Sequence, residues 1–225
     1  MAVQFVQPRR FGPAEHHRMS EAGVIPRRGT ELRDGVVFRD GAPFCFTVEE
    51  YNRLGEVGIL GEDDRVELID GEIIEMSPTG SPHSSCVVRL NRLLSRGARD
   101  FMVRVQDPLV LGRKYEPVPD LALVWERADY YRASHPTAAD TRLVVEVADT
   151  SILYDRNVKT GYYAEAGIPE FWLVDLNRGT VIVHLAPAGG GYTDVREYAA
   201  GESWFSDVLD AGTLAVDDVL GPAGS

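Results

Sequence analysis

The stretch "RLVVEVADTSILYDRNVKTGYYAEAGIPEFWLVDL", Arg142 to Leu176, carries the reading of the fold. "RLVVEVA" and "EFWLVDL" are apolar runs of strand length, rich in Val, Leu and aromatic residues. Between them "YDRNVKTGYYAEAG" reads as a helix closed by Gly167, with Pro169 beyond. Strand, helix and strand of these lengths make a βαβ crossover, which requires the two strands to be parallel. One residue is out of place. Glu146 lies among Val144, Val145 and Val147, and a carboxylate buried without a partner costs several kcal/mol, roughly, or takes up a proton.

Outward from this unit the order is regular. "FTVEEYNRL" opens a helix with a Thr47/Glu50 capping box. "RVELIDGEIIEM" is two alternating runs joined at Asp70-Gly71, a hairpin signal. "SPHSSCVVRLNRLLSRGARD" has Val87, Leu90, Leu93 and Leu94 at helical spacing, with Pro82 near its start and Gly97 near its end. "FMVRVQ", "PLVLG", "DLALVW" and "TVIVHLA" read as strands, and residues 127–141 as a loop with a helical turn. "GGGYTDVREYAAGESWFS" adds a turn and a strand pair. The expected fold class is therefore α/β (α+β), with a central mixed β-sheet flanked by helices. Residues 1–41 show no sustained period and are expected to form an irregular or flexible arm. Residues 42–225 are expected to form a single domain.

Composition limits the function. The chain has 225 residues, of which 44% are hydrophobic, and no apolar run long enough to span a bilayer. The first residues lack the pattern of a secretory signal, so the cytoplasm is the expected compartment. Cys45 and Cys86 are expected to be free, buried thiols. The net charge is −12; residues 1–40 hold seven Arg and five acids, leaving −14 on the rest. So acidic a body is not the usual footprint of a tight, non-specific nucleic-acid binder.

Three acids and one lysine stand out. Glu67 lies between Val66 and Leu68, Asp120 opens "DLALVW", Glu146 sits mid-strand, and Lys159 follows on the next helix. Each has a plain structural reading. Glu67 suits a solvent-facing hairpin position, Asp120 a loop end, Glu146 a salt bridge to Arg142 or Lys159, and Lys159 a solvated helix face. Together they match a divalent-cation site. Mg²⁺ takes one or two carboxylates plus water and substrate phosphate oxygens, and a nearby lysine would orient the attacking water. A carbohydrate-active enzyme with two carboxylates accounts for the acids but not for Lys159. No P-loop and no Ser/His/Asp arrangement is present, and His16, His17, His135 and His184 lack zinc-site spacing.

"VPDLALVW", then "RLVVEVADTS" and "YDRNVKTGYYAEAGIPEFWLVD", with "ELIDGEIIEMSPTGSPHSSCVVRLNRLL" before them, resemble the Uma family of restriction endonucleases in the PD-(D/E)XK nuclease superfamily. The resemblance spans roughly residues 45–200 and leaves out the N-terminal arm. It implies a restriction-endonuclease-like core and a Mg²⁺- or Mn²⁺-dependent endonuclease acting on DNA, and leaves a homodimer open. Glu67, Asp120 and Glu146 take the positions of the metal-binding acids. Ala148 stands where the superfamily usually has its lysine, so Lys159 takes that role. Asp155 would orient or pair with Lys159. His83 would touch substrate, or cap or pack its helix. Tyr162 or Tyr163 would close the site or pack in the core. The alternative function is a catalytically inactive nuclease-fold module for binding or regulation.

Overall fold

The computed structural model describes residues 7–98, 100–149, 158–209 and 212–221. These fall into two compact units that do not follow the expected boundary after residue 41. One takes in the described residues of Phe5–Ser77 with Val110–Pro117, the other those of Pro78–Leu109 with Val118–Ser225.

The first unit holds β1 (Gln7–Pro8), α1 (Pro13–Glu21), β2 (Thr30–Arg33), β3 (Val36–Arg39), β4 (Ala42–Pro43), α2 (Val48–Glu56), β5 (Val66–Ile69) and β6 (Glu72–Glu75). Residues 7–41, expected to be irregular, instead carry a helix and a hairpin. Pro13 starts α1, and the Gly12 N–H donates to the Glu15 carboxylate at 2.6 Å. Asp34 and Gly35 both have positive φ and turn β2 back onto β3. Met19, Val24 and Ile25 are buried with Phe46, Leu54 and Leu68 in this unit's core. β1 and β5 both pair with β6 in a three-stranded sheet. Asp70 and Gly71, at φ 48° and 77°, form the expected hairpin turn. Gly71 is required twice over, because a Cβ there would lie 2.7 Å from Cys45 Sγ. The Thr47/Glu50 capping box closes as expected, Glu50 N–H donating to Thr47 Oγ1 at 3.2 Å and Thr47 N–H to Glu50 Oε2 at 2.8 Å.

The second unit begins with α3 (Ser81–Gly97), followed by β7 (Phe101–Val105), β8 (Leu121–Trp125), β9 (Thr141–Ala148), α4 (Thr160–Glu165), β10 (Glu170–Asp175), β11 (Thr180–Ala188), β12 (Gly191–Ala199), β13 (Ser203–Phe205), β14 (Thr213–Ala215) and α5 (Val216–Leu220). A six-stranded sheet runs in the order β12-β11-β10-β9-β8-β7. β9 and β10 are parallel, as the crossover reading requires, and the other neighbours are antiparallel. The expected α/β class with a central mixed sheet is the class observed.

Alternation along the strands divides this sheet's side chains. Leu121, Leu123, Val145, Val147, Trp172 and Val174 share one core with Leu90 and Leu94 of α3 and Val216 and Val219 of α5. Full burial of each such Leu stabilises by about 1.5–3 kcal/mol. Gly97 ends α3 for a packing reason, since a Cβ there would lie 2.9 Å from Leu209 Cδ2.

Two expectations are corrected. "PLVLG" is not a strand; the Leu111 N–H donates to the Tyr115 carbonyl at 3.0 Å and the chain closes a turn there. Cys45 is free but exposed, while Cys86 is free and buried. Among the described residues no helix is long and apolar enough to cross a membrane.

Candidate active site

Glu146 is 4% exposed. Its β10 neighbour in the parallel register is Leu173, fully buried. What answers its charge comes from the start of α4. Lys159 Nζ donates to Glu146 Oε1 at 3.0 Å, and the Tyr163 hydroxyl donates to the same oxygen at 2.7 Å. Lys159 and Tyr163 are four residues apart, so one helix face brings both to one acceptor. Lys159 is 7% exposed, unlike a solvated surface lysine. Tyr163 is clamped from behind, its ring 5.1 Å from that of buried Phe171 and 4.5 Å from that of Tyr162. Burial, and then the charge of Glu146, raise the Tyr163 pKa well above the usual 10, so the phenol keeps its proton and acts as a donor.

Asp120 stands at the mouth of β8. Leu121 pairs with Val145, so the next position on each strand is Asp120 on one and Glu146 on the other. The two acids are thus cross-strand neighbours. Asp120 Oδ2 accepts from the Val147 N–H at 2.9 Å and lies 3.0 Å from His83 Nε2. Its side chain takes the place of a carbonyl in the ladder. His83 reaches it from the first turn of α3, on that helix's buried side. Asp120 Oδ1 accepts from Gln106 Nε2 at 3.3 Å, and the Asp120 carbonyl from the Gln106 N–H at 3.1 Å. Gln106 has φ 51°, a left-handed conformation that is costly for a residue other than glycine. Burial, then the charge of Asp120, push the Cys86 thiol up to about 12, so this cysteine is an inert part of the core.

The expected site residues are therefore placed as follows. Asp120 with His83, and Glu146 with Lys159, are direct pairs within one unit. Glu67 belongs to the other unit, on β5 opposite Ile74, and is buried at 4%. Asp155 lies outside the described residues. Both tyrosines of α4 are buried, and the hydroxyl on Glu146 is that of Tyr163. Gln106 was not anticipated: "VQDPLV" carries no pattern that marks it, and only the backbone at the end of β7 aims it at Asp120.

Adjacent carboxylates with hard oxygen donors fit Mg²⁺ or Mn²⁺, which keep water and phosphate oxygens in the rest of their shell. The fit is that of a two-carboxylate set. Among the described residues no group of three or more His, Cys, Asp or Glu side chains is arranged as a ready-made cage.

Comparison with known proteins gives a consistent result. The uncharacterised protein sll1609 of Synechocystis sp. is 28% identical over 118 residues, which is 50% of this chain and 67% of that protein. A crystal structure from Anabaena variabilis, described as "a putative nuclease belonging to DUF820", superposes with a TM-score of 0.60 at 16% identity, over 78% of this chain and 97% of that one. At that identity the likeness is one of fold. Residues 48–217 match the Uma2 family, described as "Putative restriction endonuclease". That match takes in β5, both strand-borne carboxylates, Lys159 and the whole six-stranded sheet, and the chain belongs to this family.

Proposed function

We propose that the protein is a Mg²⁺- or Mn²⁺-dependent endonuclease that hydrolyses phosphodiester bonds in DNA. The observation that carries this reading is the buried Glu146 carboxylate, cross-strand neighbour of Asp120, with the Lys159 ammonium 3.0 Å from its Oε1. Asp120 and Glu146 would hold the ion. When bound, the ion supplies a polarised phosphate and a water of lowered pKa.

The chain's own groups do the rest. Lys159 orients the attacking water and stabilises negative charge that develops on the phosphate. The Tyr163 hydroxyl holds the Glu146 carboxylate in one orientation, through the 2.7 Å hydrogen bond. His83, the Val147 N–H and Gln106 do the same for Asp120. Family membership supports the nuclease reading.

A second reading rests on the same contacts. Glu146 and Lys159 neutralise each other, and Asp120 already meets three donors, so the site is electrostatically satisfied as a structural element of a non-catalytic module. Incubating supercoiled plasmid with the purified chain and Mg²⁺ or Mn²⁺ separates the two. The nuclease reading expects nicking that stops with chelator and in Glu146→Gln. Intact plasmid, linear duplex and single strand under every condition leave the module.

A further inference from the structure

α3 is the longest helix among the described residues, and its 17 residues include no Asp or Glu, in a chain of net charge −12. Its buried side carries His83, Cys86, Val87, Leu90 and Leu94. Its other side carries Ser85, Arg89, Arg92 and Arg96, spaced by four, three and four residues, which aligns them in one stripe. Arg92 and Arg96 are exposed and Arg89 is half-buried. Elsewhere Arg53, Arg104, Arg127, Arg178 and Arg196 are each held by an acid within 3.2 Å, while Arg27, Arg28, Arg65, Arg113 and Arg132 have no ion pair among the described residues but lie outside any helix. Among the described residues none of the three α3 arginines has an ion-pair partner.

The stripe shares its helix with His83 but lies on the side opposite the one that presents His83 to Asp120. Six residues before Arg89, His83 lies 3.0 Å from Asp120 Oδ2. Arg89 is also held in place, packing so closely over Gly221 that a Cβ there would lie 2.6 Å from its Cζ. From Arg89 to Arg96 the helix rises about 10 Å at 1.5 Å per residue. That length faces roughly three phosphates of one strand, each at 3.4 Å of duplex axis. Planar guanidinium groups pair with phosphate oxygens in bidentate fashion, and serine hydroxyls donate to them.

We propose that the Arg89–Arg92–Arg96 face of α3 is the track for the substrate's phosphate backbone. This rests on DNA being the substrate. It resolves the conflict between an acidic chain and a polyanionic ligand. Repulsion from the rest of the surface is screened beyond about 8–10 Å at physiological salt, so a local basic stripe is enough to steer a phosphate backbone.

The test is fluorescence anisotropy of a labelled DNA duplex across a KCl series, with EDTA present so that cleavage plays no part. Wild type is compared with Arg92→Ala/Arg96→Ala, and with Arg127→Ala/Arg178→Ala as a control that changes net charge equally. The α3 variant is expected to bind about tenfold more weakly, with a log–log salt slope shallower by roughly 1 for each arginine removed, while the control matches wild type. An unchanged slope in the α3 variant, an equal loss in the control, or no duplex binding by wild type overturns the proposal. So does wild-type self-association, by sedimentation, that disappears in the α3 variant, because the stripe would then face an acidic surface of a second copy. Cleavage is scored separately in Mg²⁺. Stripe-dependent binding without cleavage sinks the nuclease reading and keeps the track, and cleavage with stripe-independent binding does the reverse.

Discussion

Two glutamates of the six-stranded sheet are buried on adjacent strands, Glu146 on β9 at 4% exposure and Glu170 on β10 at 1%, and their burial is answered differently. Glu170 takes neutral donors. Trp172 Nε1 donates to Oε1 at 2.6 Å and Ser206 Oγ to Oε2 at 3.1 Å. Burial dominates there and raises the carboxyl pKa above its usual 4.5. The contact pins the segment after β13 onto the sheet, beside an ion pair of Arg142 with Asp207 at 2.6 Å. Glu146 takes an ammonium and a phenol on one oxygen. Neutral donors suffice to hold an acid in this sheet, so a buried lysine beside Glu146 exceeds what burial alone requires. A buried ion pair is a poor way to gain stability, because desolvation of both charges offsets most of their attraction. The proposed chemistry gives a reason for it.

The comparison can be broken most forcefully at Lys159. Lys159→Ala leaves the Glu146 charge buried without its ammonium, and should cost about 3–5 kcal/mol in urea unfolding along with a cleavage loss of about 100- to 1000-fold. Glu146→Gln/Lys159→Met removes both charges and should recover most of the stability and none of the cleavage. Recovery of activity in that double variant would make the pair structural. Tyr163→Phe is milder. It removes one hydrogen bond to a charged acceptor and should cost about 1.5–3 kcal/mol, with a smaller fall in cleavage than Lys159→Ala. A Tyr163→Phe enzyme as impaired as Lys159→Ala would move the phenol from positioning into the reaction itself.

Glu170 supplies the smallest effect and a pH signature. Because its folded pKa is raised, its contribution to stability is fully present below about 4.5 and is lost as pH rises through the folded value. Glu170→Gln lacks that loss. Its melting temperature should therefore gain on wild type as pH rises from acid to neutral, with cleavage unchanged. A difference that stays flat with pH would show that Glu170 has the same pKa in the folded and the unfolded chain.

Much of this contrast is legible in the sequence. Glu146 announces itself because strand alternation puts a carboxylate among valines, and the Gly167 stop and strand-length flanks define the parallel pair. Glu170 was hidden, since an acid beginning "EFWLVDL" looks like an ordinary strand entrance. The burial of Lys159 was equally hidden, because a lysine on a helix ordinarily reads as solvated. Gln106 depends on a backbone conformation that residue type does not encode. The elements in residues 7–41 were missed because their strands are two to four residues long and half-exposed, although Asp34-Gly35 is the same turn signal as Asp70-Gly71. "PLVLG" misled in the opposite direction: Leu109 is fully buried from within a loop.

Asp120 and Glu146 are proposed to form a metal centre and not only a pinned pair of acids. Calorimetric titration of Mn²⁺ into the folded chain tests it without any need for substrate. Saturable binding by wild type is expected, lost in Asp120→Asn and in Glu146→Gln, with both variants still folded by circular dichroism. Absence of binding in all three, or equal binding in all three, would contradict it.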